Sequence, residues 1–229
     1  MESTGPTGHP AGPTAAADVA AAKQELRVRI RAARSVVNTT ERDTRDAAIT
    51  GHLTDLLADV GPVAVFVGLA GEPGGPELPA ALAAAGHEVW LPVVTQSATP
   101  LTWRFYRGED EMEPGRFGIR EPVPSPDDAA HGDVPSHALF DTVETLVIPA
   151  LAVDADGVRL GQGGGFYDRS LTHRPKDGKL VAIVDHEEFR VSVPRTELDI
   201  AVPNVITPHG AFTTVESTPS NPPSGENLA

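Results

Sequence analysis

Val63-Ala-Val-Phe-Val67 is a short apolar run between Gly61-Pro62 and Gly68, and a second run, Val89-Trp-Leu-Pro-Val-Val94, follows shortly after it. Runs of this kind, bounded by turn residues, read as strands buried on both faces. Between them a glycine- and proline-rich loop, Gly68 to Pro76, leads into a helix expected over Glu77–Ala85, which Gly86-His87 ends. Two strands joined by a helix form a right-handed βαβ unit and so require a parallel sheet. In open sheets of that kind ligands collect beyond the carboxyl ends of the strands. Glu72, in the loop after the first strand, lies on that edge.

The other segments extend the same plan. Val19, Leu26, Ile30 and Ala33 recur at helical spacing without Gly or Pro up to Ser35, and Ile49, Leu53, Leu56 and Leu57 form the apolar face of a second helix. Thr40, with Asp43 three residues on, is the expected N-cap of that second helix. Leu101–Tyr106, Val143–Pro149, Lys179–Val184 and Asn204–Thr207 read as further strands, and Asp185–Phe189 as a short helix or turn. For Trp103, Phe105 and Tyr106 core packing is the expectation over ligand stacking. Gly108 to His137 reads mostly as loop, although Gly115-Arg-Phe-Gly-Ile-Arg-Glu-Pro122 is too patterned to be filler. Residues 1–14 and 214–229 have the composition of disordered tails, leaving one domain over 15–213.

The densest feature is Arg159-Leu-Gly-Gln-Gly-Gly-Gly-Phe-Tyr-Asp-Arg169. Its glycines, Gly161, Gly163, Gly164 and Gly165, let the backbone turn sharply and bring its N–H groups close to a bound anion. A helix is expected directly after the loop, so that a helix N-terminus adds to the anion site. Arg159 and Arg169 bracket the loop with positive charge, and Asp168 is placed to hold a metal accompanying a phosphate. On the first helix Lys23, Arg27, Arg31 and Arg34 make a basic stripe, for which a solvated face is the simplest reading.

Charge and composition narrow the partners. A formal net charge of −14 in 229 residues argues against nucleic acid and against an anionic membrane surface, while leaving room for a polyanionic small molecule held by local positive charge. With no cysteine, disulfides, thiolate metal sites and cysteine nucleophiles are excluded. Met1–Pro13 lacks the basic and apolar regions of a signal peptide, no apolar run reaches the ~20 residues of a membrane span, and a cytoplasmic location is expected.

Taken together, the basic helix with Lys23-x-x-x-Arg27, the Glu after the first strand, Gly115-x-x-Gly-Ile-x-Glu-Pro122 and Asp154-x-x-Gly-x-Arg-Leu-Gly-x-Gly-Gly-Gly-x-Tyr-Asp-Arg169 resemble the 5-formyltetrahydrofolate cyclo-ligase (methenyltetrahydrofolate synthetase) family. The resemblance covers roughly Ala15 to Gly210. It implies an α/β fold: one three-layer α/β/α, Rossmann-like domain of the NagB/RpiA/CoA-transferase-like type, with a mostly parallel sheet and an N-terminal helical hairpin. It further implies ATP- and Mg²⁺-dependent conversion of 5-formyltetrahydrofolate to 5,10-methenyltetrahydrofolate, in a monomer or weak dimer whose partners are these small molecules.

By the same resemblance Lys23, Gln24, Glu25, Leu26 and Arg27 would face ATP, with Arg159, Leu160, Gly161, Gln162, Gly163, Gly164, Gly165, Phe166 and Tyr167 cradling it. Val67, Glu72 and Gln162–Phe166 would contact folate. Asp168 and Asp199 would hold Mg²⁺, and Arg159 and Asp168 would be the catalytic pair. Arg31 and Arg34 have no such support and remain solvated charge. Gln162 stands where many members carry Tyr or Arg, Phe166 replaces a Tyr, Ala150 a Gly, and Leu198 a polar residue. Two other readings stay open on the residues: a member that binds folate or nucleotide without turnover, and another phosphate-handling α/β enzyme.

Overall fold

The computed structural model describes residues 13–95, 99–125, 132–175, 178–196 and 199–214. Two helices open the chain, α1 (Pro13–Ser35) and α2 (Thr39–Leu57), followed by β1 (Val63–Ala64), α3 (Leu78–Ala84), β2 (Val89–Val93) and β3 (Thr102–Phe105). A small hairpin, β4 (Met112–Pro114) and β5 (Arg120–Pro122), precedes β6 (Val134–Pro135), α4 (Leu139–Thr142) and β7 (Thr145–Pro149). A second hairpin, β8 (Ala152–Val153) and β9 (Arg159–Leu160), leads through the glycine loop to α5 (Phe166–Ser170). The chain finishes with β10 (Lys179–Ile183), β11 (Asn204–Thr207) and β12 (Gly210–Thr213).

Eight strands form one sheet in the order β12-β11-β10-β7-β1-β2-β3-β6. The run β11-β10-β7-β1-β2 is parallel, and β3, β6 and β12 join antiparallel. The α/β fold with a mostly parallel sheet is therefore as expected. Because successive side chains of a strand point to opposite faces, each parallel strand feeds two cores. Val63, Val89, Leu91, Val147, Val181 and Ile183 pack with Ile49, Leu53 and Leu57 of α2 and Leu78 and Leu82 of α3. Ala64, Trp90, Leu146, Ile148, Leu180 and Ala182 pack on the other face with Leu139 and Leu171. Trp103 is fully buried there and donates its indole N–H to Ser136 Oγ at 3.1 Å, which bears out core packing for this ring.

Some local expectations change. The two N-terminal helices are present, but they bury their apolar faces in different places: α2 on the sheet, α1 through Leu26 and Ile30 on Leu151, Ala152, Val158 and Leu160 around the β8–β9 hairpin. The N-cap of α2 is Asn38, whose side chain accepts the Glu41 N–H at 3.0 Å, in place of Thr40. Asn is as good a cap as any, and Thr39 and Thr40 are already helical. β1 is only two residues long, since after Val65, whose N–H still donates to Trp90 O at 2.9 Å, the backbone leaves the ladder to begin the Glu72 loop. β6 and β12, both edge strands, were not expected; β6 is two residues long and β12 is half exposed, so neither carries the apolar run of an interior strand. Thr214, the expected first residue of the C-terminal tail, is buried and donates to Val202 O at 2.7 Å. Pro13 and Thr14, expected in the N-terminal tail, already belong to α1, and residues 1–12 and 215–229 lie outside the described residues.

Candidate active site

β1 leads on to β2 on one side of it, while β7, its neighbour on the other side, leads on to β10. The crevice at such a reversal is where open α/β sheets take their ligands. A cavity of about 830 Å³ lies there, within the range of small-molecule sites. Phe66, Val67 and Leu69–Glu72 line it after β1, Pro92 near the end of β2, Pro149 at the end of β7, and Ala150 and Leu151 just after it. The whole of Arg159–Asp168 lines a further wall, and α1 supplies Lys23, Arg27, Arg31 and Arg34.

The loop after β1 keeps its course because of α2. Asp46 accepts the Gly74 N–H at 2.8 Å, and Gly68 lies against the Gly75 carbonyl so closely that a Cβ there would overlap it. Burial raises the Asp46 carboxyl above the usual carboxylate range against the pull of the Gly74 N–H. The loop then returns Glu72 to the cavity, where one carboxylate oxygen accepts the Leu69 N–H at 3.1 Å and the other accepts from Gln162 Nε2 at 2.8 Å.

The glycine loop is shaped by cations as much as by its glycines. Gly163 and Gly165 take positive φ, where any larger residue would be strained. Arg27 Nε donates to Gly161 O at 2.9 Å, and Arg169 Nη2 to Gly164 O at 2.9 Å. α5 runs for only five residues before a turn of 3₁₀ helix, so anion attraction at the loop rests on its own N–H groups and the surrounding cations, not on a long helix dipole. Arg27 is held below its ordinary range by burial and by its neighbour Arg31.

Arg159 is buried; it donates Nη1 to Ile200 O at 2.8 Å and Nη2 to the Asp168 carboxylate. Burial lowers its pKa while Asp168 and Asp199 act the other way. Arginine titrates so far above neutrality that it stays a cation under this balance. Lys23 Nζ reaches both carboxylate oxygens of Asp199 at 2.8 Å. Burial alone would raise the Asp199 carboxyl, but the Lys23 ammonium and the Thr196 N–H outweigh it and leave the group below its ordinary range. The buried Tyr167 hydroxyl is pushed far up by burial and by the nearby negative Glu72, so it is a neutral phenol at any working pH.

Most of the residues expected at the site thus meet in one cavity: Lys23, Arg27, Val67, Glu72, Arg159 to Asp168, and Asp199. Three do not face it. Leu26 is core beneath α1, and Gln24 and Glu25 sit on the exposed side of the helix. The solvated reading holds for Arg31, which is exposed, and is corrected for Arg34. Arg31 donates to Gln162 Oε1 at 2.6 Å, which ties α1 to the loop. Arg34 is buried and makes a two-pronged pair with Glu188 at 2.7 and 2.8 Å, with a further bond to Ala150 O at 2.8 Å. The stripe spacing Lys23–Arg27–Arg31 already held the signal for Arg31; nothing local announced Glu188 as partner of Arg34. Phe117 and Ile119 also line the cavity, from the segment whose pattern had no role. Leu198 lies outside the described residues.

An apolar-walled cavity at the switch point of an α/β fold, with cations around a glycine loop and the carboxylates of Glu72, Asp168 and Asp199 beside it, has the form of a small-molecule site. Residues 19–208 match the model of the 5-formyltetrahydrofolate cyclo-ligase family, and the chain belongs to that family. A 5-formyltetrahydrofolate cyclo-ligase of Mycolicibacterium smegmatis is 33% identical over 190 residues, 81% of this chain and 93% of that protein. One of Escherichia coli K12 is 34% identical over 148 residues, 64% of this chain and 77% of the relative. The solution structure of a 5,10-methenyltetrahydrofolate synthetase from Aquifex aeolicus superposes with a TM-score of 0.68 at 25% identity, covering 90% of this chain and 96% of that one. A synthetase from Mycoplasma pneumoniae shares the fold, with a TM-score of 0.61 at 17% identity over 81% of this chain and 98% of that one. No helix among the described residues is long and apolar enough to cross a membrane.

Proposed function

We propose that this protein is an ATP- and Mg²⁺-dependent 5-formyltetrahydrofolate cyclo-ligase, closing 5-formyltetrahydrofolate to 5,10-methenyltetrahydrofolate with release of ADP and phosphate. The observation that carries this is the convergence of Lys23, Arg27 and Arg159 on the glycine loop at the switch-point cavity, with Glu72 across from them. A formyl oxygen is a poor leaving group. Transfer of the γ-phosphoryl group to that oxygen releases ADP and activates the carbon. N10 of the same folate then attacks that carbon, loses its proton, and phosphate departs with the former formyl oxygen. The enzyme supplies no nucleophile in this scheme, and the chain has no cysteine to offer one. Its task is alignment and charge neutralisation.

Each residue has a part in that task. Lys23 and Arg27, one helical turn apart, bind the phosphates, and Arg159 lies under the transferring group as a fixed cation that burial protects from solvent. The loop N–H groups of Gly163 to Gly165 cradle the nucleotide. Glu72 accepts from the donor edge of the pterin, which displaces or shares the Gln162 amide now bonded to it. Asp168 and Asp199 suit Mg²⁺ as hard oxygen donors that line the cavity and both act electrostatically on Arg159, each now paired with a cation, Asp168 with Arg159 and Asp199 with Lys23, that the metal would have to displace or share. Bound there with water and phosphate oxygens, Mg²⁺ would neutralise charge on the phosphates.

The reading is tested by mixing purified protein with 5-formyltetrahydrofolate and MgATP and following the near-ultraviolet absorbance of the methenyl product. ATP-dependent growth of that band is expected. Folate or nucleotide binding without product would replace the enzyme with a binding protein.

A further inference from the structure

Ile49, Leu53 and Leu57 make the buried stripe of α2, and Asp46 stands three residues before Ile49 on the same face. By that spacing an apolar residue belongs at this half-buried position. Among the described residues Asp46 forms no ion pair, and its one hydrogen bond comes from the Gly74 N–H at 2.8 Å. Its carboxylate also lies against the next residue, since a Cβ on Gly75 would stand 2.9 Å from Asp46 Oδ2. Burial raises the carboxyl, with Asp185 and Asp43 adding to the rise and the Gly74 N–H and Arg42 opposing it. The charge is therefore a burden at this place, and the acceptor oxygen is what a Leu of the same shape would lack.

The loop that Asp46 touches is the one that carries Glu72. Glu72 ends one turn and begins the next: its N–H donates to Leu69 O at 2.9 Å, and Gly75 N donates to Glu72 O at 3.1 Å. These bonds set the shape of the loop but do not fasten it to α2. Pro73, Gly74 and Gly75 are buried, and Pro73 has no N–H to give. Among the described residues the Asp46 bond is the one hydrogen bond between this arm of the loop and α2. Without an acceptor there, the Gly74 N–H is buried unpaired, and the arm must shift to reach water. Glu72 is two residues away, so its carboxylate shifts too.

We propose that Asp46 is a positioning residue of the folate wall: from α2 it sets the Gly68–Gly75 loop so that the Glu72 carboxylate meets the donor edge of the pterin. This rests on the folate reading above and names a residue that governs that site without lining the cavity. The lever acts on one substrate. Lys23 and Arg27 are carried by α1, and the glycine loop by β9 and α5, and Asp46 is bonded to none of these. The geometry calls for an acceptor and not for a charge, so Asn, with the same shape and a carbonyl oxygen, should serve as well.

The test is equilibrium dialysis of the full chain with 5-formyltetrahydrofolate and, separately, with MgATP. Asp46→Leu keeps the shape and removes the acceptor; it should raise the folate Kd about tenfold and leave that for MgATP within about twofold. Asp46→Asn should stay within about twofold of wild type for both ligands. Ile49→Val thins the fully buried core under the same helix without reaching the loop, and should lower Tm while both Kd values hold. If Asp46→Leu melts below the dialysis temperature, Asp46→Ala takes its place. An unchanged folate Kd in the folded Leu or Ala variant overturns the proposal and leaves the cyclo-ligase reading intact. So does an equal rise for both ligands, an Asn variant as weak as Leu, or a matching rise in Ile49→Val. Wild type that binds the folate without forming product overturns the reaction, and the Kd comparison still decides the role of Asp46. Wild type that binds no folate overturns both.

Discussion

Removing the Arg34 side chain should unseat α1. Arg34 and Glu188 are each under a tenth exposed and joined by two parallel hydrogen bonds, with Arg34 also bound to Ala150 O and Glu188 accepting the Asp185 N–H at 2.9 Å. Arg34→Met leaves a carboxylate buried without its counter-charge, an effect of about 3–5 kcal/mol. In a domain of this size each kcal/mol moves Tm by roughly 2–4 °C, so a fall of about 6–20 °C is expected at pH 8. Arg34→Lys keeps the charge but cannot reproduce the fork, and should fall between. The double variant Arg34→Met/Glu188→Met removes both charges and should recover most of the loss. The pH dependence has a definite sign. Burial already raises the Glu188 carboxyl, against the opposing pull of Arg34. Without Arg34 it rises further, so the single variant is relatively most stable when acid protonates Glu188 and loses stability as pH climbs through that raised value. Thermal and denaturant melts of the four proteins between pH 5 and pH 8 measure this. A loss under about 1 kcal/mol for Arg34→Met, or a double variant no better than the single one, would refute the idea that this pair seats the helix carrying Lys23 and Arg27.

Three further variants address the site. Lys23→Ala should raise KM for MgATP about tenfold or more with a smaller effect on folate; the opposite split in steady-state kinetics would move Lys23 to the folate side. Asp168→Asn should shift the Mg²⁺ titration of the rate to higher metal while circular dichroism stays native, whereas an unchanged titration removes Asp168 from the metal. Gly163→Ala places a Cβ at φ +103° and 3.4 Å from the Arg27 guanidinium carbon, so turnover should drop about tenfold or more with a Tm change of only a few degrees. Wild-type turnover in that variant would mean that the loop does not keep this conformation in the working enzyme.

The apolar runs at Val63, Val89, Val143 and Lys179 were legible because parallel strands bury both faces and carry no polar alternation to confuse the reading. The position of the glycine loop followed, since a parallel sheet leaves one edge for ligands. What local pattern could not disclose was partnership across the chain. Arg34 and Arg31 carry the same charge at neighbouring places on one stripe, yet one is sealed against Glu188 and the other reaches Gln162; only the packing of α1 on the β8–β9 hairpin separates them. Phe117 was hidden for another reason. It takes a backbone conformation that residue type argues against, and its ring meets Phe166, far along the chain. The Lys23–Asp199 pair was likewise visible as two separate ligands and not as partners for each other.

In the proposed reaction the formyl oxygen is phosphorylated before the ring closes. Turnover of 5-formyltetrahydrofolate carrying ¹⁸O in the formyl group, with unlabelled MgATP and water, tests it most directly. Mass spectrometry of the released phosphate should find one ¹⁸O per phosphate, formed in step with the methenyl product. Unlabelled phosphate, with the ¹⁸O recovered in water, would rule out phosphorylation of the formyl oxygen.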